Sequence, residues 1–343
     1  MARERGRGRG VKWLAGLVIV LALLWSGVWY LAGRAAHAGV DWLAAAVAAR
    51  GGNLSWDEQA IGGFPLTLDF HSSGLKFAYA PASVAGALNQ LTARAPLYYP
   101  GRVTADFVSP LEFNAPDKGL AVTAAWSAAT MTADAGLSGL TRAGGSVDGF
   151  AMDQTGPRLP IRRVSAKHAD FLAEPAATAD DYRLTAAASD LSLERSDGKS
   201  YPALAAKIDL TALHFGASLG TDPKRAIRAW AKAGGKLHVD RLTITAGSFS
   251  LTTTNGDLSL DQDGLISGRF LLAITGLDGL PDLAEQVKAG SHDKVAKVVT
   301  FVSAIAKPAE GGGDTRQVPV SINKGIISVG FMPIPIPIPP VKL

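Results

Sequence analysis

Residues 242–274 read LTITAGSFSLTTTNGDLSLDQDGLISGRFLLAI, and most of this stretch alternates between apolar and hydroxylic side chains. Leu242, Ile244 and Ala246 interleave with Thr243 and Thr245, Phe249 and Leu251 with Ser250 and Thr252, and Leu258 and Leu260 with Ser259 and Asp261. A period of two places one set on each side of an extended chain. Asn255-Gly256 and Asp263-Gly264 interrupt the pattern with dipeptides that tolerate positive φ, which predicts tight hairpin turns at both. The segment therefore predicts an antiparallel meander with one oily face and one polar face. An oily sheet face has to lie against something. The candidate lining is Leu242, Ile244, Phe249, Leu251, Phe270, Leu272 and Ile274, joined by Leu66, Leu68 and Phe70 from an earlier strand-type segment.

Most of the remaining chain has the same character. Gly62-Gly63 before Phe64-Pro65 predicts a corner or bulge leading into Leu66–Phe70, and His71–Gly74 predicts a turn into Leu75, Phe77 and Tyr79. Further strands are expected over 102–113, 119–132, 146–153, 161–172, 182–194 and 205–215, with Gly, Pro and Asp between them. Three segments read as helical. Residues 82–92 place Val84, Leu88 and Leu91 on one side. Residues 222–233 have Asp222 as N-cap, Pro223 in the first turn, Ile227 and Trp230 on one face and Gly234 as the stop. Residues 281–307 carry a stripe of Val295, Val298, Val299, Val302 and Ile305, with a break at Gly290-Ser291 and an end at Lys307-Pro308. A closing hairpin is expected around Asn323-Lys324-Gly325. The tail FMPIPIPIPP lacks ladder donors at alternate positions, which suits an edge and forbids an interior strand; a polyproline ligand is the other reading. The fold class expected is mainly β (α+β): an elongated antiparallel curved sheet or sandwich with a few packed helices.

The N-terminus adds one element of a different kind. Residues 13–31, WLAGLVIVLALLWSGVWYL, carry no charge over about the length that crosses a ~30 Å hydrocarbon layer. Trp13 marks one end, and Trp25, Trp29 and Tyr30 gather toward the other, where amphipathic rings favour the headgroup level. Arg3, Arg5, Arg7, Arg9 and Lys12 against Glu4 give +4 before the run, which equals the net charge of the whole chain, +4. Basic residues before the span orient the tail to the cytoplasm and the body to the periplasm. The division expected is a basic tail 1–12, a transmembrane signal-anchor 13–31, a helical stalk 32–52 ending at Gly51-Gly52, and a β-rich periplasmic body 53–343, with a boundary between two lobes near 200 as one option. Ala36-His37-Ala38 has the small-x-small form of a cleavage site, so a removed signal peptide stands as the rival to an uncleaved anchor. A body with no net charge presents no basic face for nucleic acid.

Chemistry-bearing patterns are scarce. The absence of cysteine removes thiol nucleophiles, Cys-ligated metals, disulfides and lipid-modified cysteine together. The six histidines, His37, His71, His168, His214, His238 and His292, include no pair close enough in sequence to seed a metal site. His214 and His238 fall in expected strands and read as structural. Asp257, Asp261 and Asp263 lack the spacing of a calcium loop and read as turn residues. No nucleophile elbow, phosphate loop or zinc-protease helix occurs. The expectation is a protein that is not an enzyme and takes no cofactor.

The N-terminal anchor, the corner GGFPLTLDF, the following GLKFAYAP, the meander with its continuation to TGLDGL, and the proline tail together resemble the bacterial envelope family known as domain of unknown function 2125. That resemblance implies a single-pass inner-membrane or exported protein of Gram-negative bacteria, and it brings no catalytic residues. A looser architectural likeness is to the AsmA-like β-groove proteins, which also join a membrane helix to a sheet with an apolar trough. Two functions follow as expectations. In one, the oily strand face lines a groove for a lipid or other apolar ligand. In the other, the helices at 222–233 and 293–306 close that face, and the protein is an envelope scaffold with a protein partner.

Overall fold

The computed structural model describes residues 7–99, 101–136, 139–157, 159–178, 180–216, 223–287, 290–309, 314–330 and 332–341, with the backbone alone at 7–18, 223–224, 287 and 334–337. Eighteen strands and four α-helices occur among them, and every strand pairing is antiparallel. The chain divides into two units, Met1–Asp117 and Lys118–Leu343.

The first unit opens with α1 (Arg7–Ala48), so the expected anchor and stalk form one uninterrupted helix. Its Ile19–Ala48 portion is long and apolar enough to cross a membrane, with a mean hydropathy of 1.5. The side chain of Trp13 lies outside the described residues. The helix stops where Gly51 takes φ +82° and donates its N–H to the Ala48 carbonyl at 2.9 Å, the C-terminal role glycine fills without a Cβ clash. Four registers follow: β1 (Gly52–Ser55) and β2 (Glu58–Gly62) lie end to end along one side of β3 (Thr67–Tyr79), and β3 pairs with β4 (Val84–Pro96), which pairs with β5 (Arg102–Ala115). The expected corner at Gly62–Leu66 is present, closed by the Thr67 N–H donating to the Gly63 carbonyl at 3.0 Å.

The second unit is a longer meander. The strands β6 (Leu120–Ala125) and β7 (Ala128–Gly136) lie end to end along β8 (Gly139–Thr155), repeating the arrangement of the first unit. Then β9 (Ile161–Pro175), β10 (Tyr182–Arg195), β11 (Leu204–Leu213), β12 (Lys236–Ala246), β13 (Phe249–Leu260) and β14 (Ile266–Thr275) pair in chain order. Helix α2 (Pro223–Lys232) joins β11 to β12, and α3 (Leu280–Val287) with α4 (His292–Ile305) follows β14. β15 (Lys307–Pro308) and β16 (Arg316–Asn323) continue the sheet, followed by β17 (Ile326–Val329) and β18 (Met332–Pro337). Asp222, the expected cap of α2, lies outside the described residues. The stop at Gly234 (φ +82°), the break at Gly290 (φ +78°) and the hairpin at Lys324 and Gly325 (φ +48° and +80°) fall where the sequence places them.

Three expectations change. Residues 82–92 form most of β4 and not a helix: the spacing of Val84, Leu88 and Leu91 suits a helix, but β3 and β5 present ladders on both sides, and this pairing outweighs the weak preference of the intervening Ala and Gly. Asn255-Gly256 is not a hairpin turn. The chain runs straight through it within β13, with Asn255 at φ +55° and the register to β14 shifting between Thr254 and Asp257, a β-bulge. The turn before it is at Gly247-Ser248. Gly74 likewise sits inside β3 at φ +57° where a turn was expected. It faces Asp57 at the break between β1 and β2, and Gly149 (φ +59°) faces Ser127 at the break between β6 and β7. A Cβ on either glycine would come within 2.0 Å or 2.9 Å of the opposing side chain, and the positive φ of both is one that other residues rarely adopt, so each break is built around a glycine. Both breaks carry a tryptophan, Trp56 and Trp126, just before the facing residue.

The proline tail is an edge strand. β18 pairs with β17 on one side, and among the described residues no strand pairs with its other side. The Ile338 N–H donates to the Gly325 carbonyl at 2.8 Å and the Val341 N–H to the Gly264 carbonyl at 2.8 Å. The alternate prolines lack donors for a further strand, which protects the edge. The side chains of Ile334 and Ile336 lie outside the described residues.

Candidate apolar face

Directly opposed residues in a ladder share a face of the sheet. In the second unit one row runs Met131, Gly145, Phe171, Ala186, Ile208, Leu242, Thr253, Leu272 and Val318, from β7 to β16. The neighbouring row runs Val147, Ala169, Ala188, Ala206, Ile244, Leu251 and Ile274. The opposite face carries Arg183 paired with Asp209 at 2.5 Å, His168 between Asp148 (2.6 Å) and Asp170 (3.3 Å), and Thr243 near Thr252. The alternation read from the sequence is therefore a real division between an apolar and a polar face.

Two bulges keep that division intact along β12 and β13. The β11–β12 register shifts between Asp209 and Leu210, which takes up Asp240 as an extra residue. Val239 and Leu237 thereby stay on the side of Leu242 and Ile244. The bulge at Asn255-Gly256 does the same for Leu258 and Leu260 relative to Leu251 and Phe249. Phe270 closes over Gly256, whose Cβ position is 2.8 Å from the Phe270 Cβ.

Two parts of this face are covered by helices and a third is not. Val299 and Val302 of α4, with Leu277, bury Ile274 and Val318, and Phe249, Leu272, Val295 and Ile305 pack around them. Trp230 and Ala231 of α2 bury Ala212 and Leu260, with Phe215, Leu237 and Ile266 alongside. Trp230 donates its indole N–H to the Leu213 carbonyl at 2.7 Å and meets Phe215 edge-on at 5.8 Å. Over β7–β10 the same face is open: Met131 is 45% exposed, Phe171 44% and Leu184 37%, against 1% for Val318 in the same row as Phe171. Gly145, Ala169, Ala186, Ala188 and Ala206 keep the floor low there, because none carries a side chain beyond Cβ.

The sequence-predicted lining separates into three groups. Leu242, Ile244, Leu251 and Phe270 are half-buried on this face, and Phe249, Leu272 and Ile274 lie beneath the α3–α4 pair. Leu66, Leu68 and Phe70 belong to the first unit, where Leu66 is 58% exposed in the corner before β3 and Leu68 and Phe70 pair with Ala95 and Ala93 of β4. Three exposed apolar residues of the face, Met131, Phe171 and Leu184, were not singled out from the sequence: alanine blurs the alternation around the first two, while Leu184 lies in LTAAASDLSLERSDG, where the alternation is clear.

The titratable groups sit on the polar face or at turns. Hydrogen bonding to Asp148, with the charges of Asp148 and Asp170, holds the His168 imidazole above its usual 6.5. The Arg183 guanidinium beside Asp209 holds that carboxyl below the usual range. Glu285 accepts the N–H groups of Gly290, Ser291 and His292 at 2.8, 2.9 and 3.0 Å, which lowers its pKa and fastens α3 to the start of α4. His238 bonds Asp257 at 2.8 Å within the sheet. His214 departs from the structural role expected of it: it follows the end of β11 at φ +56°, and its side chain is 81% exposed. Asp261 accepts the N–H groups of Asp263 and Leu265, the turn role expected of it. Among the described residues no group of three His, Asp or Glu side chains is placed to hold a metal ion.

A family model matches residues 29–337, which take in the sheet system and the C-terminal part of α1. The chain belongs to the DUF2125 family, described as uncharacterized proteins conserved in bacteria. No curated protein and no solved structure matches it.

Proposed function

We propose that this DUF2125 protein is held in the inner membrane by α1 and presents the open part of its apolar sheet face to a lipid or other apolar ligand in the periplasm. One observation carries the reading. A single cross-strand row, apolar except for Thr253, passes from a helix-covered core at Val318 to exposed Phe171 and Met131. Leaving such a row in water forfeits about 25 cal/mol for each Å² of apolar surface, which an occupying acyl chain would recover. A low floor of Ala and Gly beside larger side chains fits a flexible chain better than a shaped polar substrate, and an apolar trough discriminates weakly among lipids. The uncharged run, its aromatic end and the basic residues before it support an uncleaved anchor with the body outside the cytoplasm.

The scaffold reading draws on the covers at α2 and α4, which close two parts of the face. It requires a protein partner over β7–β10. Native mass spectrometry of the full chain released from nanodiscs separates the two. Bound phospholipid that is lost on Phe171→Glu with Leu184→Glu supports the lipid reading, and protein that is always empty and moves no lipid between vesicles removes it.

A further inference from the structure

The first unit carries a second apolar surface, remote in sequence from the sheet face of the second unit. Its corner, Gly62–Leu66, lies against α1. The Trp25 indole N–H donates to the Pro65 carbonyl at 2.6 Å, the Trp29 indole N–H donates to the Thr67 carbonyl at 2.8 Å, and the Trp29 and Phe64 rings meet edge to face at 5.6 Å. Trp25 and Trp29 are four residues apart and so share one side of the helix. The corner is thus fixed to the outer end of the uncharged run and not to the stretch of helix that follows it. From Trp29 to the helix end at Ala48 is about 28 Å at 1.5 Å per residue, so the corner reaches back along α1 by that distance.

We infer that this corner, with the adjoining loop at Tyr98 and Tyr99, is a second membrane contact whose partner is the lipid of the same bilayer that α1 crosses. The inference rests on the anchor reading above. Phe64 is 57% exposed, Leu66 58%, Tyr98 75% and Tyr99 50%. The two loops are joined by the Leu97 N–H donating to the Leu66 carbonyl at 3.0 Å. Neither 60–68 nor 95–101 contains a charged residue. Three of the four charges that bound them are engaged: Arg94 pairs with Asp69 at 3.0 Å, and the Arg102 guanidinium lies over the Tyr99 ring at 5.1 Å.

Depth along the helix agrees with this. Arg34 is the first charge after the run, and Trp29 and Trp25 lie about 8 and 14 Å inward from it at 1.5 Å per residue. A corner bound to those two residues sits between the headgroups and the upper hydrocarbon, the layer that Trp, Tyr and apolar side chains occupy together. Backbone at that depth needs internal partners, because lipid offers none. Four carbonyls of the corner have them: those of Gly63, Pro65, Leu66 and Thr67 accept from Thr67 N–H, Trp25, Leu97 N–H and Trp29 respectively. Two indoles are spent on carbonyls that water would otherwise satisfy.

The chain contains no cysteine, so single cysteines can be placed without other changes. Spin labels at Leu66→Cys, Leu23→Cys and Asp117→Cys of the full chain in phosphatidylethanolamine–phosphatidylglycerol nanodiscs report accessibility to oxygen and to a water-soluble nickel complex. The expected result is a several-fold higher oxygen-to-nickel ratio at 66 than at 117, approaching that at 23. A ratio at 66 equal to that at 117, with 23 still lipid-like, overturns the corner contact and leaves the anchor standing. A water-like label at 23 overturns both.

Discussion

Trp230→Ala is the substitution that most directly tests how the apolar face is closed at the α2 end. Trp230 is 5% exposed, packs on Ala212 and Leu260, meets Phe215 edge-on, and donates to the Leu213 carbonyl. Its ring also rests on Gly235, where a Cβ would come within 2.6 Å of it. Truncating a buried tryptophan to alanine removes the transfer energy of the ring and leaves a cavity, together about 3–5 kcal/mol. The Leu213 carbonyl loses its donor as well, a further cost of about 1 kcal/mol if water does not replace it. The combined loss, about 4–6 kcal/mol, is a large share of the ~5–15 kcal/mol that a domain commands. Trp230→Phe keeps most of the ring and loses the N–H, so its cost should be about 1–2 kcal/mol. Urea unfolding of the full chain in detergent, followed by far-ultraviolet circular dichroism, gives both values. A Trp230→Ala protein within about 0.5 kcal/mol of the parent, or a phenylalanine variant as damaged as the alanine one, would refute the packing assigned to α2.

Two other outcomes follow from the same sheet. Thr253 is 2% exposed on the apolar face, and its hydroxyl has no hydrogen-bond partner among the described residues, so Thr253→Val should raise stability by about 1 kcal/mol in the same urea assay; a loss of stability would mean the hydroxyl is satisfied after all. On the polar face, the folded-state pKa of His168 is raised, so its contribution to stability is complete below about 6.5 and is lost as pH rises through the folded value. Proton NMR of the imidazole should give a midpoint above 6.5 that falls in Asp148→Asn. An unchanged midpoint in that variant would assign the shift elsewhere.

Much of this architecture was readable before any coordinates. Pro223, Trp230 and Gly234 define α2, the valine stripe defines α4, and Gly290-Ser291 marks the break before it. Positive-φ residues were the main source of error. Asn255-Gly256 and Gly74 carry the chemistry of turns, yet both sit inside strands, because a bulge or a strand break asks for the same backbone region as a hairpin. Local sequence does not distinguish these cases; the strand paired alongside does. The segment 82–92 shows the same dependence, since its ladders to β3 and β5 are tertiary. The apolar face was legible where Leu and Ile alternate with Thr, at Leu242–Leu251. It was blurred by alanine around Met131 and Phe171 in the open part, whereas Leu184 lies in LTAAASDLSLERSDG, where the alternation is clear. Nor does the sequence show that Trp25 and Trp29, read as interfacial anchors, also hold Pro65 and Thr67.

The central claim is that the open part of the apolar face meets lipid. A photo-crosslinking amino acid at position 171 in living cells tests it directly, with position 271 as the control, since Leu271 is 46% exposed on the polar face. The account predicts a lipid adduct at 171 and none at 271. A protein adduct at 171, or equal lipid labelling at both positions, would contradict it.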